Sequence, residues 1–134
     1  MKPILFIIAL LITGFTFSQD ISNVESIKPE KEYENILVKK LYSDAKSTFF
    51  VIWIKQEVKS HKHATHTESI VVLEGKGKMT INKKTFKLKA GDYFVIPENT
   101  FHSLKVTSKT PMKVISVQAP EFLGKDRVFE SDTK

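Results

Sequence analysis

Apolar residues between positions 35 and 117 occur in short runs that follow the period of a β-strand. Residues 48–54 are β-branched or aromatic throughout and contain no Gly or Pro, which is typical of a strand buried on both faces. Residues 78–82 and 85–89 alternate polar and apolar side chains on either side of a turn, as half-buried strands do. Similar short runs span residues 36–41, 68–73, 93–96, 101–106 and 112–117.

These runs, about eight in number, are separated by Gly, Pro and Asn, and no segment shows a convincing helical period. Evenly spaced short strands predict an all-β fold, either a sandwich or a barrel. The β-domain is expected to occupy residues 35–120. It follows a polar leader at 19–34 and precedes a charged tail at 121–134, which we expect to wrap the surface or fray.

The first 18 residues have a different pattern of charged, apolar and small residues. Lys2 gives a short positive start, nine apolar residues follow at 4–12, and the small residues Thr16 and Ser18 come next. Because a membrane-spanning helix needs about 20 apolar residues, we interpret residues 1–18 as a signal peptide rather than a membrane anchor or a buried strand. Cleavage near Ser18 predicts an exported protein, periplasmic or extracellular, with no stable membrane anchor.

Composition narrows the class further. The chain has 134 residues and no Cys, so we expect one domain and exclude disulfides, thiolate metal sites and a Cys nucleophile. The net charge is +6, but lysines are interspersed with acidic residues, which together with export disfavours a nucleic-acid partner. Six lysines between positions 76 and 89 are interpreted as an exposed hairpin face. A patch for an anionic partner is the alternative.

The four histidines lie close together in the sequence, between positions 61 and 102. Residues two apart on a strand point to the same side, so His61 and His63 can reach one point. Glu68 can approach that point from the next strand, and His102 from a strand farther along. This nitrogen and oxygen set suits one divalent transition metal ion (Fe, Mn, Zn, Ni or Cu), and an octahedral ion would keep two positions open. Solvated surface histidines are the alternative.

Two blocks of the sequence resemble the two motifs of the cupin family. The first begins with His61-x-His63 and continues through Glu68 to Gly75, and the second runs from residue 91 to residue 102. The chain departs from the family pattern at three positions. Lys55 and Asn99 stand where the family usually has Gly, and Val106 stands where it often has Asn. Asn tolerates the left-handed backbone that Gly would supply, so the second departure is mild.

The resemblance implies a small jelly-roll barrel in which His61, His63, Glu68 and His102 hold one divalent transition metal ion. It also implies a small-molecule ligand or substrate, and it favours a homodimer formed through outer strands. Oxygenation, decarboxylation or isomerisation of a small oxygen-rich substrate are all compatible with it. The alternatives are a non-catalytic binding module for a metabolite, a saccharide or the metal, and a domain of the same fold without metal.

The sequence is compatible with more than one role for three further side chains. His66 has no ligand position in the motif and is interpreted as a solvated loop residue, or alternatively as a proton-transfer group at the barrel mouth. Trp53 and Tyr93 are expected to be structural, with a place in the cavity wall as the alternative.

Overall fold

The computed structural model describes residues 21–133, so the predicted signal peptide lies outside the described residues. Two short 3-10 helices, Val24–Ser26 and Glu130–Thr133, flank the strands. Within residues 21–133, no helix has the length and apolar character needed to span a membrane. The strands are β1 (Ile36–Asp44), β2 (Ser47–Ile54), β3 (Glu57–His63), β4 (Thr67–Glu74), β5 (Lys76–Ile81), β6 (Lys84–Lys89), β7 (Tyr93–Ile96), β8 (His102–Val106), β9 (Met112–Ala119) and β10 (Arg127–Phe129).

The strands form two five-stranded antiparallel sheets. Sheet I has the order β1-β2-β9-β4-β7, and sheet II has the order β10-β3-β8-β5-β6. Strands that are distant in sequence are neighbours in both sheets, which is the jelly-roll arrangement, so the all-β prediction is confirmed. β3 and β10 were not among the predicted runs, because the buried positions near the end of β3 carry histidines and β10 has only three residues.

Inward-facing positions change from apolar to polar along the barrel. On β4, the buried residues Val72 and Ile70 are followed by Glu68. On β9, the alternating buried positions run from Met112 to Gln118 and show the same change. The interior therefore has an apolar end, which forms the hydrophobic core, and a polar end, where the chemistry of the barrel is concentrated.

The central part of the outer face of sheet I is also buried, where the N-terminal segment docks on it. Lys113 faces outward beside Trp53, and both side chains are buried. The Lys113 ammonium donates hydrogen bonds to the backbone carbonyls of Val24 (2.8 Å), Glu25 (3.3 Å) and Ile27 (2.9 Å). The prediction that residues 48–54 are buried on both faces is thus confirmed for most of the strand, but Phe49 is exposed. The described part of the predicted leader is a docked segment.

The C-terminal segment likewise differs from the predicted tail. Residues 127–129 form β10, which pairs with β3 at the polar end of the barrel. The register places Arg127 opposite His63 and Phe129 opposite His61. The expectation that this segment only wraps the surface or frays is therefore wrong, because it completes the edge of sheet II.

Two turn positions require an unusual backbone. Gly75 has a φ of +84°, and a Cβ atom there would lie 2.8 Å from Cα of Met112, so only Gly fits between β4 and β5. Asn99 has a φ of +56°, which confirms that Asn adopts the left-handed conformation expected of it. Its backbone N–H donates to the carbonyl of His63 and joins this turn to the end of β3.

The lysines of the β5–β6 hairpin are all exposed, as predicted. The register pairs Lys76 with Lys89 and Lys78 with Lys87 on the face opposite Met79. This face meets solvent, whereas the other packs on the core.

Candidate metal centre

Three buried imidazoles converge at the polar end of the barrel. His61 and His102 lie directly opposite each other on β3 and β8, with ring centroids 4.3 Å apart. His63 lies two residues after His61 and also faces inward. Each histidine offers one ring nitrogen to a common point, and these three nitrogens lie within 4.8 Å of one another. The strand period thus pairs the first two histidines, and pairing of β3 with β8 adds the third.

A hydrogen bond from Nδ1 orients each of the three rings. In His61 and His102, Nδ1 donates to the backbone carbonyl two residues earlier, at 2.8 Å and 3.0 Å. In His63, Nδ1 donates to the carboxylate of Asp126 at 3.2 Å. Because a neutral imidazole carries one proton, a proton held at Nδ1 leaves the Nε2 lone pair for a metal ion.

Glu68 reaches the same point from sheet I. Its Oε2 lies 3.5 Å from Nε2 of His102 and 3.9 Å from Nε2 of His63. Its other oxygen, Oε1, accepts hydrogen bonds from Oγ of Ser116 (2.5 Å) and Nε2 of Gln118 (3.3 Å), both on β9. These two donors keep Oε2 directed at the imidazoles.

The electrostatics favour an ionised carboxylate beside neutral imidazoles. Burial by itself would raise the pKa of Glu68, but the adjacent His102 and the hydrogen bond from Ser116 outweigh it and lower the pKa to about 2. Burial and the nearby His102 lower the pKa of His61 to about 4, and burial also lowers the pKa of His63. Because Glu68 is ionised, its carboxylate attracts a cation to this point. His61 and His63 are neutral near neutral pH, so both can act as metal ligands.

The donor set fits a divalent transition metal ion. Nε2 of His63 is buried without a hydrogen-bond partner, and such an orphaned atom is costly unless an occupant of the site satisfies it. The separations between the nitrogens and Oε2 of Glu68 are compatible with bonds of roughly 2.0–2.2 Å to one ion between them. Imidazole and carboxylate donors suit the ions named from the sequence, and they suit calcium or magnesium poorly.

His66 is buried, so its interpretation as a solvated loop residue is wrong. Its Nδ1 donates to the carboxylate of Asp126, and its Nε2 donates to the carbonyl of Glu121 at 2.8 Å. Burial lowers the pKa of His66, but the hydrogen bonds from the ring to Glu121 and Asp126 outweigh it, so the net shift is upward. With both nitrogens donating, His66 has no lone pair for a metal, and its role is to hold the C-terminal segment.

Asp126 and Arg127 are the site residues that sequence reasoning missed. Asp126 bridges His63 and His66, and its segment follows the turn at Gly124. The only indication in the sequence is the short polar–apolar alternation that begins at residue 127, which is too short to identify a strand by itself.

A cavity of about 110 Å³ extends from the four candidate ligands into the apolar end of the barrel. Apart from those ligands, the only polar residues that line it within positions 21–133 are Gln118 and Arg127. Trp53 faces the outer side of sheet I, and the Tyr93 side chain is exposed; neither lines this cavity. The donor set thus lies at the boundary between a hydrocarbon-lined space and the polar end of the barrel.

Comparisons with known proteins agree with this architecture. The chain is 32% identical over 112 residues to an uncharacterised protein of Aquifex aeolicus, covering 82% of this chain and 92% of that protein. It is 29% identical over 72 residues to the mannose-1-phosphate guanylyltransferase RfbM of Salmonella typhimurium, covering 54% of this chain but 15% of the enzyme. The structure of KdgF from Halomonas sp. superposes with a TM-score of 0.67 at 18% identity, covering 79% of this chain and 97% of that chain.

The sequence profile of the cupin domain matches residues 48–118, from the start of β2 to the end of β9. This range contains all four candidate ligands at the polar end, together with both motifs. The chain therefore belongs to the cupin family.

Proposed function

We propose that this protein is an exported cupin that holds one divalent transition metal ion with His61, His63, Glu68 and His102 and acts on a small molecule beside it. The observation that carries the proposal is the convergence of three oriented imidazoles and one ionised carboxylate on a point where Nε2 of His63 has no partner. A closed structural site would satisfy the metal with four ligands in a tetrahedron, whereas an octahedral ion with these four ligands keeps positions for substrate.

The residues of the chain prepare the site in three ways. The Nδ1 hydrogen bonds set the imidazole tautomers, and Ser116 with Gln118 holds the Glu68 carboxylate in place. The apolar lining excludes water from the interior and strengthens the electrostatic interactions within it. A bound metal ion supplies Lewis-acid polarisation of a substrate oxygen or a binding position for dioxygen.

The cavity wall also bears on the class of reaction. Beyond the four ligands, Arg127 is the only ionisable side chain among the described residues that line it. Arg stays protonated in proteins, so no described residue of the wall is available as a general base that shuttles protons. This favours oxygenation or decarboxylation at the metal over an isomerisation that needs such a base.

A non-catalytic binding module is the second candidate, because the same lack of a general base suits capture without turnover. The mannose-1-phosphate guanylyltransferases among the similar proteins carry a sugar phosphate in their names, which makes a saccharide one candidate ligand for such a module. Consumption of substrate by the metal-loaded protein, with uptake of dioxygen or release of carbon dioxide, would decide for the enzyme.

Elemental analysis of protein purified without chelators tests the metal assignment. We expect one ion per chain in the wild type, and loss of that ion in both Glu68→Ala and His102→Ala. Lys78→Ala on the exposed hairpin is the matched control and should retain full occupancy. Stoichiometric metal in both ligand variants would show that the assigned ligands are wrong.

Export is tested separately. Expression of the full chain in a bacterium, followed by mass measurement of the protein recovered outside the cytoplasm, should give a mature species that begins near Gln19. An uncleaved chain retained in the cytoplasm would contradict the export proposal and leave the metal proposal intact.

A further inference from the structure

Besides Nε2 of His63, one other buried side-chain atom of the described residues has no hydrogen-bond partner. Gln118 is 3% exposed, and its Oε1 makes no hydrogen bond within the described structure. Its amide orientation follows from its neighbour, because the amide nitrogen must be the atom that faces the ionised carboxylate of Glu68. Oε1 is therefore a free acceptor in a buried wall, and it calls for an O–H or N–H donor on whatever occupies the cavity.

Arg127 supplies an unpaired positive charge nearby. Its guanidinium lies over the ring of Phe122 at 5.9 Å, and no carboxylate lies within 4 Å of it among residues 21–133. Arg127 and Gln118 line both the interior cavity and an outer groove against Phe129. They therefore mark the passage between the two spaces, and every other residue shared by both spaces is apolar.

The space beyond this passage is hydrocarbon in character. All the residues that line its inner part are aliphatic, Met or Phe, including Ile70, Met79 and Leu104. The whole cavity, including the part beside the candidate ligands, has a volume of about 110 Å³, smaller than the roughly 150 Å³ of an apolar cavity that accommodates benzene. A short branched alkyl group matches this space in size and polarity.

We propose, resting on the metal site proposed above, that the ligand of this cavity is a compact hydroxy acid with an apolar body. Its carboxylate pairs with Arg127, its hydroxyl donates to Oε1 of Gln118 beside the metal, and its alkyl group fills the apolar interior. Arg127 is thus a specificity-determining residue contributed by the C-terminal segment. The three recognition elements lie in sequence from the outer groove inward.

A sugar does not meet these conditions. It carries a hydroxyl on nearly every carbon, and in the described part of the chain Gln118 and Arg127 are the only polar groups of the wall beyond the metal ligands. Most hydroxyls of a buried sugar would remain unpaired, which disfavours binding. The ligand class therefore differs from the one that the names of the sugar-related relatives suggest.

Calorimetric titration of the metal-loaded protein with matched probes tests the ligand class. The probes are leucic acid (the hydroxy analogue of leucine), threonic acid as a polyhydroxylated acid of the same charge, and the amide of leucic acid. We expect leucic acid to bind at least about tenfold more tightly than threonic acid, and at least about tenfold more tightly than its own amide. Threonic acid binding as tightly as leucic acid, or no binding of leucic acid, would overturn the proposal.

Two variants assign the anion contact. In Arg127→Gln, the preference for the acid over its amide should disappear, while Lys125→Gln, an exposed cation two residues earlier, should retain it. A preserved preference in Arg127→Gln would overturn the role of Arg127. Metal content is measured on the same samples. Stoichiometric metal without ligand discrimination contradicts only the ligand class, whereas absent metal in the wild type contradicts the proposed function itself.

Discussion

The segments that precede and follow the barrel in the chain are similar in amino-acid composition but dock on different parts of the fold. Both the N-terminal segment (residues 21–34) and the C-terminal segment (residues 121–133) are charged, with scattered apolar residues. The first docks on the outer face of sheet I, where Lys113 holds three of its carbonyls. The second pairs with β3 and places Asp126 against His63, one of the four candidate ligands.

The composition of the two segments does not determine their roles. The face of the barrel on which each segment docks determines whether it stabilises the fold or contributes to the site. The N-terminal segment covers Trp53 on the side of sheet I opposite the cavity, so we expect it to affect stability alone. The C-terminal segment reaches the wall of the cavity, so we expect it to affect metal binding and ligand choice. Three experiments separate these effects.

Replacement of Lys113 by Met should have the largest effect on stability. The buried ammonium donates to three carbonyls, and its loss should lower the free energy of unfolding by about 2–3 kcal/mol. Chemical denaturation measures this loss, and faster hydrogen exchange in residues 21–34 should accompany it. Metal affinity should not change. A matching fall in metal affinity would mean that the two docking faces are coupled.

Replacement of Asp126 by Ala should weaken metal binding with a smaller effect on stability. The carboxylate orients His63 through Nδ1, and loss of such an outer contact typically costs about 10–100-fold in metal affinity. Competition with a chromogenic chelator measures the affinity. Asp132→Asn, an exposed carboxylate of the same segment, is the control and should be neutral. Unchanged affinity in Asp126→Ala would contradict the orienting role.

The smallest effect is a pH dependence that belongs to the C-terminal segment. The pKa of His66 is raised above its ordinary 6.5, so its contribution to stability is fully present below about pH 6.5 and is lost as the pH rises through the folded-state pKa. The difference in unfolding free energy between wild type and His66→Gln should therefore shrink from about pH 5 to about pH 9. A difference that grows with pH would mean that His66 is held neutral.

Short windows of sequence were sufficient to predict most strands of the barrel. Burial on both faces is confirmed for most of residues 48–54, by Val51 and Trp53 on one side and Ile54 on the other, with Phe49 as the exposed exception. The left-handed Asn99 follows from its place in the second motif. These features depend on the strand period and on local backbone geometry, which a few neighbouring residues specify.

The convergence of the four candidate ligands could also be predicted from the sequence. The spacing of His61 and His63 places both side chains on the same side of a strand, and the two motifs identify Glu68 and His102. The burial of His66 was not predicted, since its motif position alone suggests an open loop. Its partners Glu121 and Asp126 lie 55 and 60 residues away along the chain.

Long-range docking was decided by the folded chain as a whole. Asp126 meets His63 across 63 residues, and Lys113 meets Val24 across 89. A charged segment is equally compatible with water and with a partner, so its own residues do not reveal which it meets. Only closure of the sheets creates the edge and the face on which these segments come to rest, and with them the cation at the cavity entrance.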